Sequence, residues 1–103
     1  MGLFDFIFKN KGKMIEEFIS KEAIVLDVRT TAEYSNGAIP GSKNIPLQTL
    51  NNKIAIIKKL NKPVITCCAS GMRSATAASI LKNNGVEAMN GGGWQSLNQQ
   101  LAN

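Results

Sequence analysis

Two short runs constrain what this chain can fold into: Ala23-Ile24-Val25-Leu26, closing at Asp27, and Val64-Ile65-Thr66-Cys67. A strand with one face in water alternates apolar and polar residues. A continuous apolar run therefore fits a strand covered on both faces, as in a parallel sheet. Helical spacing separates these runs. Ile15, Phe18 and Ile19 precede the first, and Leu47, Leu50, Ile54 and Ile57 form a stripe on a helix reaching about Leu60. The second run is followed by a helix from Arg73 to Asn84, with Gly85 suited to its C′ position. Thr31-Ala32-Glu33-Tyr34 reads as a short helix closed by Asn36-Gly37, Ile39-Pro40-Gly41 as a turn and Lys43-Asn44-Ile45 as a short strand. Val86 to Met89 reads as a last strand. After Gly91-Gly92-Gly93, the residues Trp94, Leu97 and Leu101 share one face of a closing helix. This β-α-β alternation predicts an α/β fold with a mainly parallel sheet, whose reactive loops lie at the C-terminal ends of the strands.

At 103 residues the chain makes one domain with one real core. Residues 1–13 form an apolar head of different character, with Leu3, Phe4, Phe6, Ile7 and Phe8 followed by Lys9-Asn10-Lys11-Gly12-Lys13. The head is expected to dock on the domain of residues 14–103, with a partner-binding or membrane-surface role for residues 3–8 as the secondary reading. It is too short for a signal-peptide core or a membrane span. The net charge is +5, but ten of the twelve basic residues are lysines and no aromatics interleave with them. That pattern argues against a nucleic-acid partner, while the mild positive field suits anionic substrates.

Histidine is absent, which removes a Cys–His couple, a Ser–His–Asp triad and any histidine-ligated metal. Cys67 and Cys68 are the only cysteines, and neighbouring residues do not form the usual structural disulfide. The thiols suit a reducing compartment, so a cytoplasmic location is expected.

The chemistry concentrates in Thr66-Cys67-Cys68-Ala69-Ser70-Gly71-Met72-Arg73-Ser74. Cys68 follows an apolar strand, and Arg73 opens a helix five residues later. A thiolate there faces backbone N–H groups, a helix N-terminus and a guanidinium, all of which favour negative charge. Asp27, at a strand end, is placed to accept backbone N–H bonds, and Arg29 to pair with Glu33 four residues on. Trp94 reads as core and Met72 as lining the loop mouth. Gly91-Gly92-Gly93 reads as a tight connection, because no lysine or hydroxyl residue follows at phosphate-loop spacing.

Four segments, in order, resemble the single-domain rhodanese-like sulfurtransferases. They are Leu26-Asp27-Val28-Arg29 with Glu33-Tyr34; Gly37-Ala38-Ile39-Pro40-Gly41-Ser42-Lys43-Asn44-Ile45-Pro46-Leu47; Lys62 to Ser74; and Asn90-Gly91-Gly92-Gly93-Trp94. Two positions depart from the family pattern: Ala38 stands where histidine is usual, and Ala69 where arginine or another polar residue is often found. The loop thus keeps one cation, Arg73.

The resemblance implies a mainly parallel five-stranded sheet with helices on both faces. It also implies a sulfurtransferase without cofactor. Cys68 would take a sulfane sulfur from thiosulfate, a persulfide or a polysulfide and pass it to a thiol or cyanide. Ala69, Ser70, Gly71, Met72 and Arg73 would bind the substrate, with Asp27, Arg29 and Ser74 in support. A thioredoxin-like or sulfur-carrier protein would be a fitting partner. Two alternatives stand beside it. One is a non-catalytic interaction or regulatory module. The other is a cysteine phosphatase or arsenate reductase using Cys67, which lies six residues before Arg73. Cys67 otherwise reads as a strand-end packing residue or a resolving thiol for Cys68.

Overall fold

A computed structural model describes the backbone of residues 3–102 and the side chains of residues 10–102. Helix α1 (Leu3–Ser20) leads by a short turn into strand β1 (Ile24–Asp27), and α2 (Thr31–Ser35) connects it to β2 (Lys43–Asn44). A 3₁₀ helix (Leu47–Lys53) continues into α3 (Ile54–Leu60), then β3 (Val64–Cys68), α4 (Met72–Asn83), β4 (Ala88–Gly93) and α5 (Trp94–Ala102). The sheet order is β2-β1-β3-β4, with every pairing parallel. From β1 the chain steps outward to β2 and then returns to the opposite side of β1. That reversal puts the topological switch point between β1 and β3, whose C-terminal ends are where such folds place their sites.

Among the described residues the sheet has four strands rather than five. The segment before β1 carries its apolar residues at helical spacing and is taken up by α1, which buries Ile15 and Phe18. The stripe expected as one helix from Leu47 is split, because its first turns wind as a 3₁₀ helix. Strand β4 is displaced towards the C-terminus: it starts at Ala88 and includes the three glycines expected to form a connection.

Two apolar layers flank the sheet. Leu26, Val64 and Cys68 meet Leu50, Ile57, Ala77 and Leu81 on one face. Ile65, Cys67 and Met89 meet Ile15, Phe18 and Leu97 on the other. The 3₁₀–α3 segment and α4 thus cover one face, and α1 and α5 the other. Side chains alternate along a strand, so adjacent residues of β3 belong to opposite layers.

The local signals that end the helices are specific. Thr30 and Glu33 form a capping box at the start of α2. Gly85, at φ +82°, closes α4: its N–H donates to the Lys82 carbonyl and that of Val86 to the Leu81 carbonyl. Helix α1 ends beside the start of β1, and at about 1.5 Å per residue it is much longer than the strand. Its earlier half therefore reaches towards the edge of the sheet where β3 ends, and Lys11 lies next to Gly92 there. The apolar side chains of residues 3–8, expected to dock or to meet a partner, lie outside the described residues. No helix among the described residues is long and apolar enough to cross a membrane.

The three glycines that end β4 lie against its neighbours without side chains of their own. A Cβ on Gly91 would stand 2.7 Å from both Ile65 Cγ2 and the Thr66 carbonyl oxygen, and 2.9 Å from Leu97 Cδ2. Gly91→Ala should therefore cost about 1–3 kcal/mol, as overpacking does. Thermal unfolding should register a fall in Tm of about 4 °C or more; an unchanged Tm would show that β4 yields at no cost.

Candidate active site

Cys68 ends β3 and only 1% of the residue is exposed. Its Sγ accepts the Gly71 N–H at 3.0 Å and the Ser74 N–H at 3.4 Å, and lies 3.3 Å from Ser74 Oγ. Gly71 precedes α4 at φ +104°, a conformation that costs glycine little. This bend turns its own N–H onto the sulfur as the chain enters the helix. Burial alone would push the Cys68 thiol up. The Ser74 hydroxyl, with the N–H groups of Ser74, Gly71 and Ser70, outweighs it and brings the thiol below its ordinary value.

Cys67 behaves in the opposite way. It is fully buried in the other layer, against α1 and α5, and is register partner to Asp27. Burial, with the nearby charge of Asp27, pushes it up to about 12 against the partial relief of Arg29. A strand-end packing role fits this position. Neither a phosphate-binding nucleophile nor a resolving thiol does, because the side chain is turned from the loop.

The supporting groups are brought together by contacts that sequence spacing does not reveal. Asp27 accepts the Arg29 N–H at 3.0 Å, and the Arg29 guanidinium grips the same carboxylate, with Nη2 at 2.7 Å from Oδ2. The Arg29 side chain also donates to the carbonyls of Glu33 and Gly37 and stacks over Trp94 at 4.6 Å. The expected pairing of Arg29 with the Glu33 carboxylate does not form. That carboxylate instead takes Arg73 of the reactive loop in a two-pronged bridge of 2.8 and 3.0 Å. Arg73, expected to face the donor directly, is thereby tied to α2, with 36% of its side chain exposed. The Arg73 guanidinium, with the Thr30 N–H, lowers Glu33 from its ordinary 4.5 to about 2. The depressed folded-state value means that the stability this bridge contributes is fully present above about pH 4.5 and is lost as pH falls towards 2.

The other expected loop residues line the rim. Ala69, Ser70 and Met72 are exposed, Met72 to 79%, and Gly71 is half-buried. Ser74, placed in support, is fully buried and touches the sulfur directly.

Three residues escaped the sequence reading as site components. Thr66, fully buried, has its hydroxyl 2.7 Å from the Ser74 carbonyl oxygen and 3.2 Å from that of Met89, joining α4 to β4. Asn90 Oδ1 accepts the Ser74 hydroxyl at 2.7 Å and the Gly92 N–H at 2.9 Å, while its Nδ2 donates to the Gly71 carbonyl at 3.1 Å. Lys11 brings its ammonium to within 2.9 Å of where a Cβ on Gly92 would stand. The only signal for Asn90 was its place beside the glycine run; for Lys11 there was none.

Residues 12–99 match the family model described as a Rhodanese-like domain. Over 70 residues the chain is 33% identical to a tRNA sulfurtransferase of Thermoplasma acidophilum, a match covering 68% of this chain and only 14% of that protein. Over 80 residues it is 35% identical to the thiosulfate sulfurtransferase GlpE of Pseudoalteromonas translucida, covering 74% of this chain and 75% of GlpE. The crystal structure of a rhodanese-related protein from Thermoplasma volcanium aligns with a TM-score of 0.71 at 34% identity, covering 86% of this chain and 88% of that one.

Two outcomes follow from the geometry. Iodoacetamide on the native protein at neutral pH should label Cys68 and leave Cys67 unmodified until unfolding. Peptide mapping that found native Cys67 labelled first would contradict the opposed environments. Arg29→Ala strands the Asp27 carboxylate in the interior and should cost about 3–5 kcal/mol in a urea melt. A loss below about 1 kcal/mol would mean that water replaces the guanidinium.

Proposed function

This chain belongs to the rhodanese-like domain family, and from that premise we propose that it moves a sulfane sulfur through a persulfide on Cys68. The observation that carries the reading is the buried Cys68 sulfur at the end of β3, held by two N–H donors with the Ser74 hydroxyl beside it. Such donors stabilise a thiolate both as attacking group and as leaving group, which a two-step transfer needs. Cys68 Sγ attacks the terminal sulfur of the donor. The new Sγ–S bond forms as the donor's own bond to that sulfur breaks, and the electron pair leaves with the donor remnant. An acceptor thiol or cyanide then attacks the outer sulfur and returns the pair to Sγ.

The depth of Cys68 supports a slender donor. A persulfide, polysulfide or thiosulfate presents one terminal sulfur, whereas a phosphomonoester presents a tetrahedral dianion that a loop with one cation suits less well. The charge at the mouth is modest, because both terminal nitrogens of Arg73 are held by Glu33. That favours persulfide or polysulfide donors over thiosulfate, with Lys11 adding positive charge at the Gly92 side. A small thiol, or a thioredoxin-like or sulfur-carrier protein in the cytoplasm, suits the acceptor role; nucleic acid does not.

Intact-mass spectrometry after brief exposure to a polysulfide should show a gain of one sulfur that dithiothreitol removes. The gain should be absent in Cys68→Ser and retained in Cys67→Ser. Persulfide formation should speed up as pH rises and level off with a midpoint below the ordinary thiol value of 9.0. No adduct from any sulfur donor would sink the reading in favour of a docking module.

A further inference from the structure

The Ser74 hydroxyl has one proton and two neighbours that want it. Oγ stands 2.7 Å from Asn90 Oδ1 and 3.3 Å from Cys68 Sγ. The orientation of the Asn90 amide follows from its other contacts. Its Oδ1 meets the Gly92 N–H at 2.9 Å and its Nδ2 meets the Gly71 carbonyl at 3.1 Å, so a flipped amide would oppose donor to donor and acceptor to acceptor. Oδ1 is therefore an acceptor, and the Ser74 proton points at it. A hydroxyl so engaged offers Cys68 only a lone pair, which suits a thiol S–H. It does not suit a thiolate, which needs donors.

We propose that Asn90 is a positioning residue for transfer at Cys68: it holds the Ser74 hydroxyl while Sγ is neutral and releases it when Sγ is charged. The proposal rests on the sulfur-transfer reading for its use in turnover, but not for its test. When Sγ attacks a donor, the Sγ–S bond forms and Sγ becomes a neutral inner sulfur, so the hydroxyl turns to Asn90. When the acceptor takes the outer sulfur, the Sγ–S bond breaks, the electron pair returns to Sγ and the hydroxyl swings back. The proton stays on Ser74 throughout. Oδ1 keeps the Gly92 N–H in both states, so releasing the hydroxyl leaves no buried acceptor unpaired. The N–H donors of Gly71 and Ser74 stay on the sulfur, which confines the change to one rotating bond.

The sign of the effect separates this role from a structural one. Asn90→Ala removes the competitor for the hydroxyl and should favour the thiolate. Loosening of the Gly71 anchor alone would disfavour it. The titratable and charged groups around Cys68 are unchanged by the substitution: Arg73 of α4 with Glu33 of α2, Asp27 at the end of β1 with Arg29 just after it, Cys67 of β3 and Lys11 of α1.

The experiment is the pH dependence of Cys68 alkylation by iodoacetamide, followed by peptide mass in the full chain. It compares Asn90→Ala and Asn90→Asp, each with and without Ser74→Ala, and checks folding by thermal melts. Asn90→Ala should move the midpoint down by roughly half to one pH unit, the scale of one hydrogen bond, and should have no effect in the Ser74→Ala background. Asn90→Asp, nearly the same size, should move the midpoint up, and further when Ser74 is present than when it is absent. An upward shift in Asn90→Ala, or shifts indifferent to Ser74, would overturn the proposal. If Asn90→Ala fails to fold, the Asn90→Asp comparison decides alone. No sulfur donor is involved, so failure here is separate from failure to form a persulfide.

Discussion

Backbone brought against backbone at the ends of β3 and β4 underlies the rest of the site. A Cβ on Gly71 would meet Gly92 Cα at 3.3 Å, and one on Gly93 would meet the Ala69 carbonyl oxygen at 3.0 Å. With no side chains in the way, the reactive loop lies directly on β4. Asn90 can then span both the Gly71 carbonyl and the Gly92 N–H. The bend at Gly71 is held by this contact, so the N–H donors of Gly71 and Ser74 are in place on the sulfur before any substrate arrives. Preorganised donors of this kind need no reorientation when charge develops.

The pairing of Cys67 with Cys68 shows how much a strand can separate two adjacent residues. The pleat sends one side chain into the layer of α1 and α5 and the other into the layer beneath α4. Both are buried, and burial raises both. Only Cys68 meets compensating donors, so its thiol falls while that of Cys67 climbs to about 12. Environment, not residue type, divides the two thiols.

The two arginines divide labour as well. Arg29 is spent on structure: it neutralises Asp27, ties β1 to α2 and the Gly37 turn, and lies over Trp94. Arg73 is held between function and structure, because Glu33 of the capping box that starts α2 also fixes its guanidinium. The segment from Leu26 to Tyr34 and the Cys68 loop are therefore one electrostatic unit, although 40 residues separate Glu33 from Arg73.

The parallel sheet, the strand–loop–helix around Cys68 and the helix stop at Gly85 were legible in the sequence, because each depends on residues close along the chain. Apolar runs, turn glycines and caps carry their own geometry. The partner of Glu33, the roles of Thr66 and Asn90 and the approach of Lys11 were not legible, because each joins elements that only the folded sheet brings side by side. The fifth strand failed for a related reason: the family pattern suggested it, but the residues ahead of β1 carry helical spacing and follow it. By itself the sequence determined the fold class and pointed to the loop that holds the candidate thiol, since periodicity and a short loop are local properties. Tertiary structure alone decided how the groups around that loop pair, since the Glu33–Arg73 and Ser74–Asn90 contacts span 40 and 16 residues of chain.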